Sequence, residues 1–138
     1  MKIKQSQILN REHKLLETDL GDIYLFNDFV ITEFKQGVDI SFDNFYSIGV
    51  EIGKHFWKKP FGFIANRPYS YSINLKDAEI LNMAFPNLKA YAIVVYSDFS
   101  EKIFEVENVF FKFNRRAFKS LDKSISWVEE TLKKDLNN

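Results

Sequence analysis

The sequence predicts an α/β domain built on a mixed β-sheet, and three observations predict it. Three short runs rich in β-branched and aromatic residues follow one another near the start, the pattern of an antiparallel meander. After them the hydrophobic period switches between 3.6 and 2 several times. Helices that alternate with strands in this way imply right-handed crossovers and a parallel segment. The length, 138 residues, suits one domain.

The elements follow in order. Residues 1–13 are polar and mixed and read as a loose lead-in. Residues 14–18 form a first short strand, and Leu20-Gly21-Asp22 a turn in which glycine supplies the positive φ. Residues 23–26 are the second strand, Asn27-Asp28 a two-residue turn, and residues 29–34 the third strand. Lys35-Gln36-Gly37 closes the meander.

Phe45, Ile48, Gly49, Ile52 and Phe56 then fall on one helical face. Ser41 stands at the N-cap and Asp43 in the first turn, where a carboxylate suits the helix dipole. Ile40 and Phe45 have the spacing of a hydrophobic staple. The helix stops near Trp57-Lys58-Lys59, ahead of Pro60.

Residues 61–65 are a buried strand, and residues 66–74 a hydroxyl-rich aromatic loop. Asn74 caps a second helix over residues 75–85 with Leu75, Ala78, Leu81 and Phe85 inward. Residues 88–96 are the most hydrophobic strand, and their continuous apolar run fits burial on both faces. A third helix spans residues 101 to about 110, with Ile103, Val106 and Phe110 inward. Residues 116–119 make the last strand. Ser120 caps a fourth helix with Leu121, Ile125, Val128 and Leu132 in line, and residues 135–138 fray.

Composition excludes several chemistries. There is no cysteine, which removes disulfides, a thiol nucleophile, iron–sulfur centres and cysteine-type zinc sites. Lys and Arg balance Asp and Glu at 19 each, so the chain lacks the basic excess that carries nucleic-acid affinity. The longest apolar run, Ala90 to Tyr96, is far short of a membrane span, and the start lacks a signal-peptide core; a cytoplasmic protein is the expectation. Zero net charge leaves self-association, such as a homodimer, open.

No motif in the chain is complete enough to specify a chemistry. Gly49, Gly53 and Lys54 echo a phosphate loop, but the spacing is three instead of four, His55 follows the lysine, and the segment is helical. His13 lies in the lead-in and His55 at the edge of an apolar stripe, where a boundary histidine is the ordinary reading. The carboxylates of Glu101, Glu105 and Glu107 read as a solvated helix face, and Lys112, Arg115, Arg116 and Lys119 as a small basic surface patch. A hydrolytic triad would have to be assembled from Ser72, Asp98 and His55, for which no motif exists. Neither a catalytic set, a metal site nor a cofactor is expected.

Four peptides carry a family resemblance: residues 29–38 leading into the capped helix; Pro60 to Arg67 followed by Tyr71-Ser72-Ile73-Asn74; residues 84–90; and Phe118-Lys119-Ser120-Leu121 leading into a Trp-containing helix. Together they resemble the SpoIIAA-like (STAS-like) proteins of bacteria over residues 14–134. The resemblance implies a single STAS-like domain over residues 14–138, about four helices, and a non-catalytic regulatory or protein-interaction role. The anti-sigma-factor antagonists of that group are switched by phosphorylation at Asp-Ser-(Ser/Thr)-Gly-(Leu/Val/Ile). This chain lacks the motif and carries Tyr69-Ser70-Tyr71-Ser72-Ile73-Asn74 there, so Ser72 is the candidate phosphoacceptor. Proteins of this fold are also linked to apolar ligands, and the 15 phenylalanines keep a small apolar or lipid ligand as the alternative.

The candidate binding site is the loop and its neighbouring strand ends. Ligands of open α/β sheets bind beyond the carboxyl ends of parallel strands, beside helix N-termini. That selects Asn66, Arg67, Tyr69, Ser70, Tyr71, Ser72 and Asn74, with Lys35, Ser97 and Asp98 alongside. The competing reading is a structural loop whose tyrosines pack over the sheet edge.

Overall fold

The computed structural model describes residues 1–136. Strands β1 (Lys14–Thr18), β2 (Gly21–Leu25) and β3 (Phe29–Phe34) form the expected antiparallel meander. Thr18 closes the first turn: its hydroxyl donates to the Gly21 carbonyl at 2.7 Å and accepts from the Leu20 and Gly21 amides. Gly21 has φ of +144°, and a Cβ there would overlap the Glu33 carbonyl, so glycine is required on both counts.

A two-residue strand β4 (Asp39–Ile40) precedes helix α1 (Phe42–Phe56). Ser41 and Asn44 make a reciprocal capping box, and Phe45, Ile48, Ile52 and Phe56 are buried as their spacing predicts. The helix ends at Trp57, whose φ of 53° breaks the helical path.

Strand β5 runs over Phe61–Arg67, two residues longer than expected. The loop after it is therefore short. It enters β6 (Ser72–Ile73), which pairs in parallel with β4. A two-residue ladder has no periodicity to read in the sequence. It is held by backbone bonds from the Ser72 amide to Val38 and from the Asn74 amide to Ile40.

Helix α2 (Ala78–Ala84) is shorter than expected. Its first turn, Leu75–Asp77, is 3₁₀, and the Asp77 carboxylate is drawn away to accept from the Phe42 amide at the start of α1.

Strand β7 (Leu88–Val95) leads to helix α3 (Asp98–Glu107), which starts three residues early because Ser97 caps it through the Ser100 amide. Val106 and Phe110, expected inward, are exposed; the inward residues at the end of α3 are Phe104 and Glu107. Strand β8 (Arg115–Phe118) and helix α4 (Leu121–Leu136) complete the chain. Helix α4 includes Asp135 and Leu136, the first half of the stretch expected to fray, and Asn137 and Asn138 lie outside the described residues.

The main sheet has the order β1-β2-β3-β5-β7-β8, parallel from β3 onward. Each crossover steps in the same direction. Right-handed crossovers then place α1, α2 and α3 on one face. There Phe45, Ile48, Ile52, Phe85 and Phe104 pack on Ile23, Val30, Phe63 and Ile93. Strand β8 is an edge, so α4 turns back over the other face, where Leu121, Ile125 and Val128 pack on Ile31, Ile64, Ala92 and Val94.

The lead-in is not loose. Two 3₁₀ turns (Ile3–Gln5 and Gln7–Asn10) set Ile3 and Ile8 into the core beside α4. Two buried isoleucines in a mostly polar stretch outweigh its composition, because burying each contributes about 1.5–3 kcal/mol. No helix among the described residues is long and apolar enough to cross a membrane.

Candidate functional site

The carboxyl ends of β3, β5 and β7 converge on three polar side chains, Glu33, Asn66 and Tyr96. Asn66 lies in β5 and is buried, not part of an exposed loop. Its amide donates to Glu33 Oε2 at 3.0 Å and to the Met1 carbonyl at 2.9 Å. Glu33 Oε2 also accepts from the Ile3 amide at 2.8 Å. The Tyr96 hydroxyl shares its proton between Asn66 Oδ1 at 2.6 Å and the Met1 carbonyl at 2.9 Å.

The position where such sheets usually take a ligand is thus filled by the chain's own first residues. Tyr96→Phe is expected to cost about 1 kcal/mol, the net worth of such a bond. It should also speed amide exchange at Ile3. An unchanged urea midpoint with unchanged exchange would contradict this clamp.

The rest of the expected site divides among several structural tasks. Ser70 donates its amide to Gln36 Oε1 at 2.7 Å, stitching the loop to the β3–β4 turn. Tyr69 is half-buried and lies beneath the Lys2 ammonium, 5.2 Å from its ring centre. Ser72 is exposed, and its hydroxyl donates to the Asp39 carboxylate at 2.6 Å. Asn74 caps the turn before α2, accepting from the Lys76 amide. Ser97 and Asp98 begin α3, and Lys35 is exposed. Tyr71 is a core residue, packed edge-on against Phe34.

His55 hydrogen-bonds the Phe26 carbonyl at 2.7 Å, beside the turn that leads into β3. Ser72 and Asp98 follow the far ends of β5 and β7. The length of the intervening strands, roughly 20 Å, separates the two sets.

What the structure does gather is a buried charged cluster under α3. Residues 61, 63, 65 and 67 of β5 alternate toward the α1–α3 face, and this carries Arg67 inward. Its Nη1 donates to Glu107 Oε1 at 2.8 Å and its Nη2 to the Tyr71 carbonyl at 2.9 Å, while the guanidinium lies 4.1 Å from the centre of the Tyr71 ring. Arg115 pairs in register with Tyr91, and its Nη2 stands 3.7 Å from the same Glu107 oxygen. Side-chain exposures are 3% for Arg67, 4% for Glu107 and 1% for Arg115.

Glu107 and Arg115, read from sequence as solvated surface, are therefore interior. The pair Arg115-Arg116 carries only a partial signal: adjacent strand residues point to opposite faces, but alternation does not say which of the two arginines is interior.

The cluster holds two cations and one anion. Arg115 Nε and Nη1 are buried with no hydrogen-bond partner among the described residues. Its guanidinium is caged by three rings, with centres at 5.1 Å (Tyr91), 5.0 Å (Phe104) and 5.1 Å (Phe111). The negative ring faces offset part of the charge. Burial depresses the Arg115 pKa. Burial also opposes the charge on Arg67, but Tyr71 and Glu107 outweigh it and the Arg67 pKa rises.

Next to the cluster lies an aromatic-walled cavity of about 50 Å³ between the sheet and helices α1 and α2. Phe63, Phe85, Phe111 and Phe113 are among its lining residues, and Tyr71 and Tyr91 are the polar ones.

Burial pushes up the phenols of Tyr24, Tyr71, Tyr91 and Tyr96, those of Tyr24 and Tyr96 to about 12, with further push on these two from the Glu33 charge. An unfolded phenol ionises near 10. A raised folded value makes stability complete below pH ~10, and it is lost as pH climbs from there through the folded values. Joint phenolate absorbance and circular dichroism should show buried tyrosines ionising together with unfolding. Full ionisation with the fold intact near pH ~11 would contradict it.

No family model matches the chain, and no curated protein does. A similar solved structure is that of an uncharacterized protein of the DUF3478 family, with a SpoIIAA-like fold, from Shewanella loihica PV-4. It is 10% identical, with a TM-score of 0.55, and the match covers 85% of this chain and 92% of that one. The likeness is one of fold: this chain is a mixed α/β protein with a SpoIIAA-like fold.

Proposed function

We propose that the protein is a non-catalytic, cytoplasmic regulatory module of STAS type that docks a protein partner on its helical face. One observation carries the reading: an apolar patch lies open where α2 meets the end of α3. Ile80, Met83, Val106, Val109 and Phe110 are all exposed, Val109 by 81% and Met83 by 73%. Asn82 ties the two segments together, donating to the Phe110 carbonyl and accepting from the Lys112 amide, each at 3.0 Å. Clustered exposed apolar residues mark interaction surfaces, whereas scattered ones need no explanation. The SpoIIAA-like fold supports the regulatory part of the reading.

Ser72 remains the proposed phosphoacceptor, for a reason different from a helix-cap switch. A phosphate there would replace the bond to Asp39 with like-charge repulsion and loosen the β4–β6 ladder.

The test is affinity capture from the native host with wild type and a Met83→Lys/Val109→Glu double variant. A specific partner that drops at least tenfold in the variant, with circular dichroism unchanged, is the expected result. Equal recovery by both, or no specific partner, would overturn it.

A second reading, a small apolar ligand, is favoured by the aromatic cavity. Its volume of about 50 Å³ suits a few heavy atoms, not a lipid tail.

A further inference from the structure

We propose that the open apolar patch is a two-fold interface whose occupant is a second copy of this chain. The inference deepens the docking reading of the same surface, rests on it, and names the partner. Three observations carry it. First, the patch is wider than the junction of α2 with α3. On α1, apolar residues and glycines cover roughly 200° of the helix, about twice the stripe that facing one core takes. The buried half is Phe45, Ile48, Ile52 and Phe56. The other half turns to solvent beside α2, with Tyr46 59% and Val50 37% exposed. An apolar groove of about 220 Å³ runs between the two helices, lined by Phe42, Tyr46, Gly49 and Val50 on one side and Leu81 and Phe85 on the other.

Second, the surface is electrically suited to itself. A two-fold axis sets a patch against its own copy, so a charge near its centre would meet its like. The groove is lined by uncharged residues. Residues 80–84 and 106–111 hold a single charge, Glu107, which is buried against Arg67 and Arg115. Exposed charges begin at the margin and include both signs, Glu79 and Glu105 against Lys102 and Lys112. The whole chain has no net charge, so two copies approach without long-range repulsion. Third, the area suffices. At their exposures the two α1 residues, with Ile80, Met83, Val106, Val109 and Phe110, present roughly 800 Å², about what each partner contributes to a standard-size interface.

The experiment is sedimentation velocity of the full chain from about 1 to 200 µM, with circular dichroism as the fold check. Interfaces of this size bind at micromolar or tighter affinity, so wild type should sediment as two chains within that range. Tyr46→Lys, Met83→Lys/Val109→Lys and Met83→Glu/Val109→Glu should each weaken the dimer at least tenfold with the fold unchanged. An equimolar mixture of the double-lysine and double-glutamate variants should regain dimer where neither does alone, because each copy then meets opposite charge. Wild type that stays monomeric would overturn the second copy as occupant. Host-protein capture lost in the double variants would in that case keep the docking reading, and its absence would end both. A dimer that the double variants leave intact, or a mixture that stays monomeric, would overturn the two-fold pairing of this patch. Loss in the double variants but not in Tyr46→Lys would remove α1 from the interface.

Discussion

Glu107→Ala is expected to destabilise the fold by about 3–5 kcal/mol, the range for removing one partner of a buried ion pair. Glu107 sits between two buried guanidiniums, and without it Arg67 and Arg115 face each other uncompensated. Arg115→Met should go the other way. It removes the charge in excess, leaves the Arg67–Glu107 pair at 2.8 Å, and fills the ring cage with an apolar side chain. Replacing buried charge by a packed hydrophobe is often neutral or stabilising. Urea denaturation of both variants measures the contrast. A Glu107→Ala loss under about 1 kcal/mol would place the cluster in contact with water, because only surface pairs are worth so little.

The second large effect is expected at Gly62. This residue is central in the sheet, paired with Phe29 on β3 and Ala90 on β7, and α4 crosses above it. A Cβ there would overlap Val128 Cγ1, and Val128 is fully buried in α4. Gly62→Ala should therefore cost about 1–3 kcal/mol as overpacking. The cause can be isolated by a double-mutant cycle. Val128→Ala removes the overlapping methyl, so the double variant should be more stable than additivity predicts by about 1 kcal/mol or more. Additive losses would mean that the cost arises in the sheet backbone and not at the contact with α4.

The two predictions differ in how far sequence could reach. The α4 stripe is readable because Leu121, Ile125, Val128 and Leu132 repeat at helical spacing, and all four are buried. A small residue facing them on β5 follows from nothing local. The candidate loop shows the same division. Its tyrosines suit either a ligand surface or a packed edge, and Tyr71 is packed. Asn66 and Arg67 looked like loop because strand β5 extends past its hydrophobic run, and their long-range partners keep those polar residues in the sheet. Glu107 looked solvated because the α3 stripe was placed on Val106 and Phe110. The Ser97 cap starts α3 earlier, at Asp98, and the inward position at its end belongs to Glu107.

By itself, the sequence determined the succession of strands and helices along the chain, the cap of α1, the antiparallel meander and the parallel segment that follows it. Each of these depends on residues within a few positions of one another, or on the handedness common to all L-chains. Tertiary structure alone decided which charges are interior. Arg67 meets Glu107 across 40 residues and Asn66 meets Met1 across 65. Whether such a group is solvated or buried depends on elements that fold over it, and at those separations no periodicity records the contact.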